Sequence, residues 1–233
     1  MIWLRSTLFN VLLLLWTIIL GVICLPLLVL GQRGALWVAD SWVHVALWLV
    51  RTICGIGYRI EGYEESTSGV IYACKHQSAW ETIALWRILQ RPVFILKKEL
   101  LMIPIFGFYL QKIPHIAIDR KAGRHAMRKI IEQSRMHVLN GSNIIIFPEG
   151  TRTAPGHRRP YKQGVASLYE QLGAPIVPVA LNSGYFWGRN AFHKHAGTIT
   201  VKFLPAMPAG LEREAFLQQL QAVIETECEA MKS

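Results

Sequence analysis

Two short stretches of the chain hold residues whose types and spacing suit proton transfer and anion binding. In Lys75-His76-Gln77-Ser78-Ala79-Trp80-Glu81 a histidine precedes a glutamate by five positions. Histidine is the side chain whose ordinary titration range suits base chemistry near neutrality. A carboxylate on one ring nitrogen fixes the tautomer and supports the imidazolium, leaving the other nitrogen to take a proton. Residues five apart on a regular helix point about 140° away from each other. Contact between His76 and Glu81 therefore requires a strand-to-helix turn between them. The second stretch is Phe147-Pro148-Glu149-Gly150-Thr151-Arg152. Gly150 lets a ligand approach the backbone closely, N–H groups there can hold an oxyanion, and Arg152 can bind phosphate bidentately. Alone, the first pair is common by chance and the second loop is compatible with a tight turn. Their joint occurrence carries the reading.

Positioning these two stretches falls to the elements around them. Short apolar runs at Val70–Cys74, Val93–Leu96, Ile116–Ile118, Asn143–Phe147, Ile176–Leu181 and Thr198–Phe203 read as strands. Helical stretches lie around Thr82–Gln90, Arg124–Leu139, Gln163–Leu172 and Leu211–Met231, the last with Leu217, Leu220, Val223 and Ile224 on one face. Asn140-Gly141 and Pro155-Gly156 mark turns. This alternation predicts an α/β domain over residues 59–233, with a mixed, largely parallel sheet flanked by helices. Both chemical stretches follow a strand, at the carboxyl end where open α/β sheets bind their ligands.

The preceding 58 residues read differently. Ser6 to Leu30 contains no charged residue, and a helix of that length spans the roughly 30 Å hydrocarbon layer of a bilayer. The run is long for a signal peptide and no small-residue cleavage site follows it, so residues 1–58 are expected to form a retained membrane anchor. A second apolar stretch, Ala35 to Val50, carries Asp40 and His44 together with Trp37, Trp42 and Trp48. Two geometries remain open: a span plus an interfacial helix, or a helical hairpin dipping into one leaflet. Arg33, Arg51 and Arg59 follow the long run while only Arg5 precedes it, which puts the rest of the chain on the cytoplasmic side.

Composition agrees with such a division. The 233 residues are 52% hydrophobic and 17% charged, which excludes a disordered chain and disfavours a freely soluble one. The net charge of +10 suits an anionic partner. No basic helix or nucleic-acid motif is present, so a membrane or a phosphate-bearing metabolite is favoured over nucleic acid. Cys24, Cys54, Cys74 and Cys228 form no CxxC pair and read as reduced packing residues. The remaining histidines show no shared metal-ligand spacing, so neither metal nor cofactor is expected.

The two motifs in this order, after an apolar N-terminus, resemble the glycerolipid acyltransferase family. His76 to Glu81 fits the H-x4-D/E signature, Ile118-Asp119-Arg120 the second block, Phe147 to Arg152 the third and Val177-Pro178-Val179 the fourth. Lys97-Lys98-Glu99-Leu100 followed by Ile103-Pro104 also looks like the family, and the likeness runs from about residue 60 to about 205. Most of the family has Asp where this chain has Glu81. The resemblance implies direct transfer of an acyl group from acyl-CoA or acyl-carrier protein to the sn-2 hydroxyl of lysophosphatidic acid, yielding phosphatidic acid at a membrane. It makes His76 the base and Glu81 its orienting partner. Lys97, Arg120 and Arg152 are expected on the substrate phosphate, with Gly150 and Thr151 lining the same loop and Glu149 organising it. Glycerol 3-phosphate or another lysolipid is the alternative acceptor. A non-catalytic lipid-binding protein would leave both motifs without a purpose. Ile103, Ile105, Phe106 and Phe108 are read either as an acyl-chain groove or as ordinary core and membrane contacts.

Overall fold

The computed structural model describes residues 1–66, 69–119 and 123–231. Two long helices open the chain, α1 (Ile2–Ile23) and α2 (Gln32–Cys54), joined by a 3-10 stretch at Leu25–Leu30. Then come β1 (Ile56–Glu61), β2 (Ile71–Cys74), α3 (Trp80–Ile88), β3 (Val93–Lys97), α4 (Phe106–Leu110), β4 (His115–Ile118), α5 (Gly123–Leu139) and β5 (Ile144–Ile146). The chain closes with α6 (Gln163–Leu172), β6 (Ile176–Leu181), α7 (Ser183–Phe186), β7 (Gly197–Phe203) and α8 (Arg213–Ala230).

The strands form one sheet in the order β1-β7-β6-β2-β5-β3-β4. All neighbours are parallel except β6 and β7. Parallel strands must be covered on both faces, so their sequences are apolar throughout rather than alternating with polar residues. The period of two sorts each strand between the faces. Tyr72, Cys74, Ile145, Val179 and Leu181 join Trp80, Ala84, Leu85 and Ile88 of α3 and Phe9, Leu49 and Val50 of the N-terminal helices. Ile71, Ala73, Ile144, Ile176 and Ala180 face α5, α6 and α8 instead, meeting Ile130, Leu168, Phe216, Leu220 and Ile224. The core face of α8 is thus set by Phe216, Leu220 and Ile224, with Leu217 and Val223 only partly buried beside it.

The sequence did not lead us to expect β1. Of its six residues only Ile56 is buried, and Gly57, Arg59 and Glu61 interrupt any apolar run. It survives as a strand because it lies at the sheet's edge, in parallel register with β7 from Ile56↔Gly197 to Glu61↔Lys202. An edge strand needs one ladder and one covered face, a weaker pattern than a central strand leaves.

The two N-terminal helices fold back on each other as a hairpin. Trp42 Nε1 donates to Thr17 Oγ1 at 2.8 Å, Phe9 clusters with Leu49 and Val50, and Leu20 clusters with Ala35. Pairings that diverge in this way mean α2 returns along α1. α1 is long and apolar enough to cross a membrane, yet only 22% of its most apolar window is buried. Leu4, Leu8, Val11, Ile18 and Val22 stay uncovered on its outer side, which supports membrane association. α4 packs beside the hairpin: Tyr109 donates its hydroxyl to the Gly21 carbonyl at 2.8 Å, and a Cβ on Gly21 would lie 2.7 Å from Ile105. Met102, Ile103, Phe106 and Phe108 are exposed and extend the uncovered apolar surface, while Ile105 packs partly buried against the hairpin.

Asp40 fastens the hairpin to the domain. One carboxylate oxygen accepts Trp86 Nε1 at 2.8 Å and the other accepts Arg91 Nε at 2.9 Å. Asp40→Ala leaves the part-buried indole N–H without its acceptor. It should lower stability by about 1–3 kcal/mol, read as a lower midpoint in thermal unfolding of the detergent-solubilised protein.

Candidate active site

Five adjacent parallel strands, β6, β2, β5, β3 and β4, end along the same edge of the sheet. The loops leaving that edge carry Ser183 after β6, His76 after β2, Phe147–Arg152 after β5 and Asp119 after β4, with Lys97 the last residue of β3. Strand order thus gathers positions that lie more than a hundred residues apart in the chain.

Residues 75–79 form the turn that the His–Glu spacing demands, between the end of β2 and the start of α3. Glu81, in the first turn of α3, is fully buried. Its Oε1 accepts His76 Nδ1–H at 2.8 Å and the backbone N–H groups of Gln77 and Ser78, each at 2.7 Å. Its Oε2 accepts the Ser183 hydroxyl at 2.8 Å. The extra methylene of Glu81 carries its carboxylate into a pocket of four donors. Because Nδ1 donates, the lone pair of His76 lies on Nε2. The histidine side chain keeps 14% of its surface exposed while the carboxylate behind it has none. A histidine held in this way can serve as an oriented base.

The loop after β5 holds the same histidine from other directions. The Phe147 ring stacks on the imidazole, centroids 4.0 Å apart and planes 20° from parallel. Glu149 Oε2 accepts the His76 backbone N–H at 2.9 Å, and Thr153 N–H donates to the His76 carbonyl at 2.7 Å. Glu149 is buried, with its Oε1 2.8 Å from Lys75 Nζ. The same ammonium meets Glu225 Oε1 of α8 at 2.6 Å. Burial alone would pull the Lys75 pKa down, but hydrogen bonds and charges from Glu149 and Glu225 outweigh it and the group titrates above its ordinary value.

The other predicted positions distribute as follows. Gly150 adopts the left-handed conformation at φ 69°, and its N–H closes the turn onto the Phe147 carbonyl at 2.9 Å. Thr151 and Arg152 are half-buried, and the Arg152 carbonyl accepts Arg189 Nη1 at 3.2 Å. A cavity of about 230 Å³ opens beside them, lined by Glu149, Gly150, Thr151, Arg159, Pro160 and Lys162. Lys97 is exposed, whereas its neighbour Lys98 pairs with Asp119. Arg120 lies outside the described residues. Arg158 pairs with Glu229 at 2.7 Å, and none of the four cysteines is in a disulfide.

Three contributors escaped the sequence reading. Ser183 bonds Glu81, Gln77 Oε1 accepts the Gly184 N–H at 2.9 Å, and the Lys75–Glu225 pair lies behind the histidine. Ser183 had one usable signal, its place just past a strand that ends beside β2.

This geometry can be set against known proteins. The family model described as Acyltransferase matches residues 57–182, more than half of the chain. The chain belongs to the Acyltransferase family. A protein of Pseudomonas aeruginosa named 1-acyl-sn-glycerol-3-phosphate acyltransferase is 36% identical over 174 residues, covering 74% of this chain and 68% of the relative. A coconut protein of the same name is 35% identical over 162 residues, covering 69% of this chain but 53% of the relative. The human alpha form is 27% identical over 197 residues, covering 83% and 69%. The crystal structure of a Thermotoga maritima lysophosphatidic acid acyltransferase aligns over the full length of both chains with a TM-score of 0.77 at 20% identity, a likeness of fold. The stretch matched to the Acyltransferase family includes His76, Glu81 and the Glu149 loop and stops one residue short of Ser183.

Ser183→Ala leaves Glu81 Oε2 buried without its donor. Acyl transfer should slow about tenfold at saturating substrate with KM little changed, measured by steady-state kinetics.

Proposed function

We propose that this acyltransferase moves an acyl group from acyl-CoA or acyl-carrier protein to the sn-2 hydroxyl of 1-acyl-glycerol 3-phosphate, making phosphatidic acid. One observation carries the reading: a fully buried carboxylate grips His76 Nδ1, leaving Nε2 at the partly open carboxyl edge of the sheet. The names of the relatives support the choice of acceptor.

Nε2 takes the proton of the sn-2 hydroxyl as its oxygen attacks the thioester carbonyl carbon. The C–O bond forms, the carbonyl electrons move onto oxygen, and the tetrahedral adduct collapses with loss of the C–S bond. The imidazolium returns its proton to the departing thiolate, which restores the base. Glu81 stabilises the imidazolium while it lasts, and its four donors hold the carboxylate still. Since the Gly150 N–H is taken up in the turn, oxyanion donation falls to backbone N–H groups that follow it at Thr151 and Arg152. Donors of this kind are each worth about 3–4 kcal/mol in transition-state stabilisation.

Lys97, Arg152 and Arg120 are assigned to the substrate phosphate, with Arg152 offering a bidentate fork. Glu149, buried between the Lys75 ammonium and the His76 N–H, serves as framework for the loop. The hairpin of residues 1–54, within the 1–58 anchor segment, rests in the bilayer through the outer side of α1. With α2 returning along α1, Arg51 and Arg59 share the domain end of the hairpin with Arg5, while Arg33 sits at its turn. This basic end assigns the domain of residues 59–233 to the cytoplasmic face. Both lipid substrate and lipid product then reach the site without passing through water.

His76→Ala removes the base. The rate should fall by about 10²–10⁴-fold with the fold retained, assayed with radiolabelled lysophosphatidic acid and either donor in detergent. Phosphatidic acid formed at an undiminished rate by the folded variant would refute the mechanism. Product only from glycerol 3-phosphate or another lysolipid would reassign the acceptor.

A further inference from the structure

α8 buries an apolar face of Phe216, Leu220, Ile224 and Cys228, and among them a glutamate, Glu225, only 4% exposed. Its Oε1 holds the Nζ of Lys75, itself 1% exposed, at 2.6 Å. Lys75 immediately precedes His76 and also reaches Glu149 Oε1 at 2.8 Å. The second oxygen of Glu149 takes the His76 backbone N–H. A chain of polar contacts thus runs from α8 to the histidine.

Stability is a poor reason for this cluster. It sets one cation between two carboxylates in the interior, and a buried ion pair is often no more stabilising than apolar side chains of the same volume. What it does supply is direction. With Nζ fixed on Glu225, the Glu149 carboxylate has one oxygen drawn to Lys75 and the other turned to the His76 N–H. α8 braces neighbouring loops as well: Gln221 Nε2 donates to the Arg159 carbonyl at 3.2 Å, and Asn182 Nδ2 donates to the Met231 carbonyl at 3.3 Å.

We propose that Glu225 is a positioning residue for His76, acting through Lys75 and Glu149. The role rests on the reading of His76 as the base. It lies outside the stretch matched to the family and depends on a lysine directly before the histidine.

The test is Glu225→Gln, which keeps shape and removes charge, assayed with lysophosphatidic acid and acyl-CoA beside wild type and His76→Ala. Turnover per folded molecule should fall about tenfold while KM for both substrates stays within about twofold. Hydrogen exchange at the peptide containing His76 should quicken. A purely structural Glu225 would reduce the yield of folded protein and leave turnover per folded molecule unchanged. Should Glu225→Gln fail to fold, the double variant Lys75→Met, Glu225→Met removes both charges at similar volume and is expected to lose the same turnover. Wild-type turnover in either folded variant overturns the proposal. Full activity in folded His76→Ala overturns the reading beneath it, whereas an inactive His76→Ala beside a fully active Glu225→Gln overturns the positioning role alone.

Discussion

The site depends on one carboxylate buried without exposure. Glu81 has no water to solvate it, so its oxygens must be satisfied by the protein. Four donors do so: two backbone N–H groups of the turn before α3, the His76 ring and the Ser183 hydroxyl. Three of the donors come from the one turn and the fourth from the start of α7, and the requirement propagates outward. The turn must follow β2, α3 must begin at Trp80, and β6 must end beside β2 so that Ser183 arrives. An imidazole held this way has its tautomer and direction set before any substrate binds.

The sheet meets these demands by topology. Parallel strands put all their carboxyl ends on one edge, so loops distant in sequence emerge side by side. The loop after β5 supports His76 by stacking Phe147 on the ring and by bonding both backbone polar atoms through Glu149 and Thr153. These contacts hold the backbone and one ring face of the histidine while 14% of its side chain stays exposed. Such a frame is what a base needs if it is to meet a lipid hydroxyl at a constant distance.

The hairpin is integrated with this frame. Lys194, 4% exposed, donates its backbone N–H to Ser6 Oγ at 3.0 Å and its ammonium to Asn10 Oδ1 at 2.8 Å. The ammonium lies 5.3 to 5.8 Å from the ring centroids of Phe9, Trp187 and Phe192. Burial drives the Lys194 pKa below its ordinary value. Cation–π contacts and carbonyl acceptors compensate the lost hydration. Trp187 follows α7, whose first residue is Ser183. The element that supports Glu81 is therefore packed directly against the first helix of the hairpin.

Much of this was legible in the sequence because local rules wrote it there. The six expected strands occur near their expected bounds, since buried parallel strands need unbroken apolar runs. The His76–Glu81 spacing announced a strand-to-helix turn, because no helix lets residues five apart meet. A long apolar first helix followed from the charge-free run Ser6–Leu30. Yet α1 starts earlier, takes in Arg5 and ends at Ile23, and Pro26 turns the rest of the run into a 3-10 stretch. Tertiary structure alone decided the rest. The Ser183 hydroxyl meets Glu81 across 102 residues and Lys75 meets Glu225 across 150. Those pairings follow from strand order and from where α8 lands, which no local periodicity encodes. The hairpin likewise required knowing which side of α1 meets α2, information that an all-apolar helix does not carry. β1 became a strand only because β7 lay beside it. Local composition settles what a segment prefers to be, whereas a buried charge finds its partner only after the chain has closed around it.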